Sequence, residues 1–134
     1  MKKAIDPKLT VLAALYAQYQ KPLPMMGAVT SEVLSMDDTV FNVAVSKLQN
    51  EQLIEGAELH YVDQASYPVI VQLDKVRLKS EGVELIEAFL DLKKSLTAQD
   101  KLKSLGKQCL TFGWNALSDV AAKALAEVIK STIS

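Results

Sequence analysis

Residues 31–56 constrain the fold more than any other part of the chain. Apolar side chains recur there at positions i, i+3, i+4 and i+7, the spacing of one buried helix face: Phe41, Ala44, Val45 and Leu48. Asp37 or Asp38 is placed to cap this helix, because a carboxylate accepts hydrogen bonds from the free N–H groups of a first turn. The stretch predicts a short helix with Val33 and Leu34 on the core, a turn at the aspartates, and a longer helix ending in residues 53–56.

Two extended runs follow, at residues 57–63 and 68–73. Apolar and polar residues alternate in both, as in strands with one buried face. The four residues between them have the length of a hairpin loop, and residues 25–29 read as a further short strand. We therefore predict an α+β, mostly α fold: a winged helix-turn-helix with a two- or three-stranded β-wing and additional C-terminal helices.

The remaining elements are helical in their patterns. A first helix opens at Asp6 and Pro7, and a fourth follows residues 76–82 with an inward apolar face. Thr97 begins a short helix that should end near Gly106, and the segment from Trp114 onward is a long amphipathic helix. The apolar stripes of the first and fourth helices consist of Leu9, Leu12, Ala13, Tyr16 and Tyr19, and of Val83, Ile86, Phe89 and Leu90. We predict a winged-helix domain over residues 1–96 and a C-terminal helical extension over residues 97–134.

The composition indicates an ordinary globular chain. Hydrophobic residues make up 49% and charged residues 23% of its 134 residues, and the net charge is −1. The single Cys109 and the single His60 leave no cysteine cluster or histidine pair for a metal. His60 should point outward on the wing, and Cys109 should be a passive thiol. We expect a cytoplasmic protein that is not an enzyme, with no cofactor, metal, membrane segment or small-molecule substrate.

The second helix of the turn motif is the candidate reader of duplex DNA. Its outward polar side chains could bond base edges in a major groove, and cations beside the wing could contact phosphates. The predicted DNA-binding residues are Thr39, Asn42, Ser46, Lys47, Gln49, Lys75, Arg77 and Lys79.

The charge of this region favours a different use. Residues 31–58 carry Lys47 alone against six acids: Glu32, Asp37, Asp38, Glu51, Glu55 and Glu58. Phosphate neutralisation requires cations, and two of these acids lie at the helix end that would approach the bases. The alternative is therefore a protein-interaction module in which Asp37 and Asp38 meet a basic partner.

The terminal helix has two readings that the sequence leaves open. Its apolar side is longer than a small winged-helix core requires, so it could form a homodimer interface; equally, it could fold back on the first helix and complete the core. The predicted interaction residues on it are Trp114, Leu117, Ala121, Leu125 and Val128.

The order of motifs resembles that of the YjcQ-like small winged-helix proteins of bacteria and phage. The similarity covers residues 31–134 and rests on Phe41, Val45, Leu48, residues 53–56, residues 69–73, the Arg-Leu-Lys-Ser-Glu-Gly of residues 77–82, and Trp114. Lys79 stands where the family has threonine, so the cap of the following helix moves to Ser80 or is lost. The resemblance implies no catalytic residues.

Together these observations predict a non-enzymatic, phage-related regulatory protein. It would bind DNA in the manner of a transcription regulator and act as a dimer. The alternative is an adaptor that uses the same scaffold, with its acidic helix face, to bind another protein.

Overall fold

The structure is a computed structural model, and it describes residues 6–133. Within this range the helices are α1 (Pro7–Tyr19), α2 (Asp38–Asn50), α3 (Ser80–Phe89), α4 (Ala98–Phe112) and α5 (Asn115–Ile133). The strands are β1 (Ile54–Glu55), β2 (Glu58–His60), β3 (Ile70–Gln72) and β4 (Arg77–Leu78), and Met26–Ala28 form one turn of 3₁₀ helix. The predicted class, α+β and mostly α, is confirmed.

Helix α1 is the centre of the molecule. Residues 11–17 have no exposed area at all, and α2, α3, α5 and β4 pack around them. The predicted stripe is confirmed at Leu12, Ala13 and Tyr16, but it is too narrow, because every residue from 11 to 17 is buried, and it is wrong at Tyr19, which is 48% exposed. The seven apolar residues in a row explain this, because a helix that is apolar all round belongs inside a core.

Helix α2 begins where its sequence predicts. The Asp37 carboxylate accepts hydrogen bonds from the backbone N–H groups of Thr39 (3.0 Å) and Val40 (3.2 Å). The predicted apolar face is buried, at 0–4% exposure: Phe41, Ala44, Val45 and Leu48.

The predicted end of α2 is wrong. The helix stops at Asn50, and residues 54–55 form β1 instead. Gln52 takes a left-handed conformation with φ 61°, and the Leu53 N–H donates to the Leu48 carbonyl at 3.0 Å. This geometry closes the helix and turns the chain into the strand.

The two elements predicted before α2 are also wrong. Residues 25–29 contain the 3₁₀ turn, not a strand, and residues 31–35 form a single turn, not a helix. The Thr30 hydroxyl accepts from the Val33 N–H at 3.1 Å, as a cap would, but Ser35 at φ 52° stops the turn at once. Leu34 is buried as predicted, whereas Val33 is 45% exposed.

The predicted hairpin between residues 57 and 74 is confirmed. Strands β2 and β3 are antiparallel, with Leu59 opposite Val71, and β1 pairs with β4 in the same sense. Between the β1–β4 pair and the β2–β3 pair, two residues of the first strand segment (56–57) lie opposite four of the second (73–76). The two-stranded ribbon bends there because the two segments differ in length. Gly56 is required at this bend: its φ is +87°, and a Cβ there would lie 2.3 Å from the Lys75 carbonyl oxygen. We call residues 58–72 the hairpin arm.

The inward face predicted for α3 is largely confirmed, with Ile86 and Leu90 buried and Val83 and Phe89 half-buried. Lys79 occupies the position before this helix and makes no side-chain capping bond, so the cap is lost.

Helix α4 begins as predicted, with the Thr97 hydroxyl accepting from the Asp100 N–H at 3.1 Å. Its predicted end near Gly106 is wrong, because the helix continues to Phe112. There Gly113 ends it with a left-handed φ of 73°. Helix α5 then returns antiparallel to α4 and also packs on α1.

A buried polar network joins three helices of the body. The Tyr16 hydroxyl donates to Glu87 Oε2 at 2.8 Å, and Lys101 Nζ lies 2.7 Å from the same oxygen. Glu87 is only 3% exposed. Burial, together with the hydrogen bond to Glu87, raises the pKa of Tyr16 above its usual range. Because Lys101 and Glu87 lie on opposite sides of the predicted boundary at residue 96, the two predicted parts share one core within the described residues.

Candidate functional site

The start of α2 is an exposed acidic corner. Asp37 caps the helix, and Asp38 accepts a hydrogen bond from the Ser31 hydroxyl. Both aspartates remain exposed. A negative charge at a helix N-terminus is stabilised by the helix dipole, so these acids fit their positions without any ligand.

Two of the predicted DNA-reading side chains hold the hairpin instead. Asn42 is 8% exposed, and its Nδ2 donates to the Pro68 carbonyl at 3.1 Å. The Gln49 amide donates to the Ala57 carbonyl at 3.1 Å and accepts from the Ala57 N–H at 2.8 Å. The prediction that Asn42 and Gln49 face outward is wrong, because these amides satisfy backbone groups at the two ends of the arm.

The other predicted DNA contacts do not form a cationic surface with them. Thr39 and Lys47 are exposed on α2, and Ser46 is half-buried. Lys75 is exposed in the turn before β4. On β4, Arg77 Nη2 lies 3.5 Å from Glu55 Oε1, and Lys79, just before α3, is half-buried.

The hairpin arm carries an exposed apolar cluster. Five of its large apolar side chains are 49–58% exposed, although the chain has a well-formed core elsewhere: Tyr61, Val62, Tyr67, Val69 and Ile70. We call these five residues the apolar tip. Exposed apolar side chains that lie close together on one element are typical of interaction surfaces, whereas scattered ones are ordinary.

Two grooves flank the contact between Asn42 and Pro68. The first, of about 470 Å³, lies between α1, α2 and Tyr67, and Val40 and Val43 contribute its apolar wall. The second, of about 330 Å³, lies between residues 27–31 and residues 69–74, which are the end of the arm and the bend after it. Asp38 lies at the edge of this groove. Tyr67 borders the first groove and Val69 the second, so the apolar tip is continuous with both.

The interaction residues predicted on the terminal helix lie inside the single chain. Trp114, Leu117, Ala121 and Val128 are 1–7% exposed, and Leu125 is half-buried. The Trp114 ring packs at a tilt against the rings of Phe89 and Phe112, at ring-centroid distances of 5.8 and 5.1 Å. These side chains occupy the intramolecular interface of α5 with α1 and α4, one of the two readings left open above.

The two residues singled out for reactivity are in the surroundings expected of them. His60 is exposed on β2, with Nε2 3.8 Å from a Glu58 carboxylate oxygen. Cys109 is fully buried, and burial raises its thiol pKa to about 11, which disfavours the nucleophilic thiolate. Among residues 6–133 no group of three histidine, cysteine or acidic side chains is arranged to hold a metal ion.

None of the helices in the described range combines the length and apolarity needed to cross a membrane. Comparison of the chain with protein-family models, with curated proteins and with solved structures found no match in any of the three.

Proposed function

We propose that the chain is a non-enzymatic protein-binding module that recognises its partner with the hairpin arm and the acidic start of α2. In this proposal the scaffold is a winged helix whose second helix has shrunk to the turn at residues 31–35. The single observation that carries the proposal is the apolar tip. Its five large side chains are half-exposed on an arm whose backbone is fastened to α2 by Asn42 and Gln49.

The chemistry of this surface supports a protein partner. Tyrosine and aliphatic side chains exposed together are common in the centres of protein interfaces, with polar groups at the rim. Here the rim is acidic: Asp37, Asp38 and Asp63 are exposed around the tip and the start of α2. The partner expected is therefore a protein with an apolar patch bordered by lysine or arginine.

Electrostatics argue against duplex DNA on the same surface. The six acids of residues 31–58 oppose a single lysine of that stretch, and two of the predicted base-reading side chains, Asn42 and Gln49, are engaged with the arm. DNA affinity depends chiefly on neutralising phosphates, so this surface would repel the ligand.

Duplex DNA stays the second candidate because of one observation. Lys75 is exposed in the turn at residues 74–75, and the Arg77 side chain is 80% exposed on β4. If DNA binds there, Lys75→Glu with Arg77→Glu should abolish a shift of mixed-sequence duplex measured at low salt.

The test compares partner capture by three forms of the full chain in lysate of its native cells. The first is wild type, and the second carries Tyr61→Ser, Val62→Ser and Tyr67→Ser. The third carries Leu110→Ser, which removes a leucine on α4 that is 78% exposed, and serves as the control for loss of an exposed apolar side chain outside the arm.

We expect proteins captured by wild type and by the Leu110 variant to be lost with the tip variant, while circular dichroism shows all three folded. Identical capture by all three forms would contradict the proposal. So would tight binding to mixed duplex that weakens about a thousandfold or more between about 50 and 200 mM salt, the response of a dedicated phosphate binder.

A further inference from the structure

We propose that the groove between β3 and residues 27–31 binds an extended, basic segment of a partner protein, which adds as a strand to the free edge of β3. This inference rests on the proposed function and names the kind of ligand that the arm takes.

The backbone of β3 has a free edge at this groove. Strand β3 pairs with β2 on one side only, and its sheet contains these two strands alone among the described residues. In a two-stranded ribbon, every second N–H and C=O group points away from the partner strand. Such an edge is a template for another strand.

The lining of the groove places it along that edge. Six consecutive residues of the arm and its bend border it, from Val69 to Asp74. Successive side chains of a strand point to opposite faces, so a groove above one face would meet only alternate residues. A groove bordered by every residue in a row runs beside the backbone, where an added strand would lie.

The opposite wall explains why the edge is free. Residues 25–29 have the pattern of a third strand, but they contain the 3₁₀ turn Met26–Ala28. At one end the walls touch: a Cβ on Gly27 would overlap the Asp74 carboxylate, so only glycine permits this close approach. Beyond that contact the walls separate and leave about 330 Å³ open.

The charge of the groove selects a basic occupant. Asp38 and Asp74 border it, both are exposed, and none of the described residues that line it is lysine or arginine. A second copy of the chain fits poorly, because residues 61–74 around its own β3 contain Asp63 and Asp74 but no lysine or arginine, and it would bring like charges together. A partner segment with apolar side chains and lysine or arginine complements both the apolar edge and the acids.

The experiment selects ten-residue peptides from a random display library on the full wild-type chain. The best peptide is resynthesised, and its dissociation constant is measured by fluorescence anisotropy. Two further syntheses carry N-methyl groups on alternate residues, one at the odd and the other at the even positions, and each removes the backbone donors from one edge of the peptide. The protein variants are Asp74→Lys and Asp74→Asn in the groove, and Asp119→Lys on α5 as a control of equal charge change at an exposed acid outside the proposed surface.

We expect enriched peptides to be basic and β-branched, and N-methylation in one of the two registers to abolish binding. Asp74→Lys should weaken binding about tenfold, since it replaces an attraction with a repulsion, and Asp74→Asn should weaken it less. Asp119→Lys should change the dissociation constant by less than about twofold at moderate salt, because exposed charges away from the groove are screened.

Three results would overturn the inference: no enriched peptide, equal affinity of both N-methylated registers, or a dimer in light scattering that Asp74→Lys dissociates. The last would mean that a second copy fills the groove. Failure of the proposed function is a separate outcome. In that case partner capture would survive the tip substitutions, whether or not the selected peptide binds the groove. Loss of capture by the tip variant without peptide binding would refute the groove alone.

Discussion

The helical body and the hairpin arm place the same kinds of side chain in opposite surroundings. In α1, residues 11–17 have no exposed area, whereas in the arm Val62, Tyr67 and Ile70 are more than half exposed. Residues 11–17 of α1 are enclosed by α2, α3, α5 and β4. A two-stranded ribbon, by contrast, always has an uncovered face or an unpaired edge. The difference shows that the apolar tip is not required by the core, whereas Leu59 and Val71 of the same arm are half-buried and pack against it.

Helix α2 connects the two regions because it faces both. Its apolar stripe, with Val45 and Leu48 fully buried, belongs to the body, and its amides Asn42 and Gln49 hold the arm. Neutral hydrogen bonds of this kind contribute about 1 kcal/mol each. These polar contacts position the arm together with Leu59 and Val71, which pack against the core, while the body is stabilised chiefly by burial.

The largest effect is expected at the polar network of the body. Glu87→Ala should lower the free energy of unfolding by about 3–5 kcal/mol, because Lys101 would keep a buried charge without a partner. Glu84→Ala, on the same helix but exposed and paired with Lys94 at 3.4 Å, is the control, with a change within about 0.5 kcal/mol. Urea denaturation measures both, and equal losses would refute the central role given to Glu87.

The comparison itself is tested by two isoleucines. Ile86 has no exposed area on α3 and Ile70 is 55% exposed on the arm. Ile86→Ala should cost about 2–5 kcal/mol as a core cavity, and Ile70→Ala should stay within about 0.5 kcal/mol. A cost above about 1.5 kcal/mol at Ile70 would mean that the arm packs as part of the core.

Alkaline pH should weaken the body through Cys109. Its pKa in the folded chain is about 11, against an ordinary 9.0, so the unfolded chain loses this proton first. The stability that the neutral thiol contributes is complete below pH 9 and is lost as the pH rises through 11, by about 2–3 kcal/mol. Cys109→Ala should flatten this part of the unfolding free energy against pH. Parallel curves for the two proteins would contradict the account.

The smallest effect is expected where the arm meets α2. Gln49→Ala removes both bonds to Ala57 and should cost about 1–3 kcal/mol, since the backbone groups lose their partners. Amide exchange at residues 57–60 should also accelerate. Asn50→Ala changes an exposed amide next in sequence, and it should alter neither quantity. Unchanged exchange in the Gln49 variant would show that the arm is held by something else.

Periodic segments of the sequence predicted the elements that depend only on local spacing. These are the apolar face of α2 and the alternating strands β2 and β3 of the hairpin, and both are present. The sequence could not distinguish the turn at residues 31–35 from a helix. The left-handed residue that ends this turn is Ser35, whereas the usual sequence signal for a left-handed residue is glycine. The end of α4 was misplaced for the converse reason: Gly106 has room for a Cβ and lies inside the helix without effect.

The candidate site was less accessible to sequence reasoning. Asn42 and Gln49 look outward on an isolated helix, and only the position of the hairpin shows that Pro68 and Ala57 bind them. The alternation along the arm predicted correctly that His60 faces outward. It did not predict that both faces of the ribbon are exposed to solvent near the tip. One available signal was missed in α1, where seven apolar residues in a row indicate burial on every side.

The most direct test of the arm as the recognition surface is hydrogen–deuterium exchange of the full chain with and without its captured partner. We predict that the partner slows exchange in residues 58–74 and at the start of α2, and leaves α5 unchanged. Slowed exchange on α5 with no change in the arm would contradict the account.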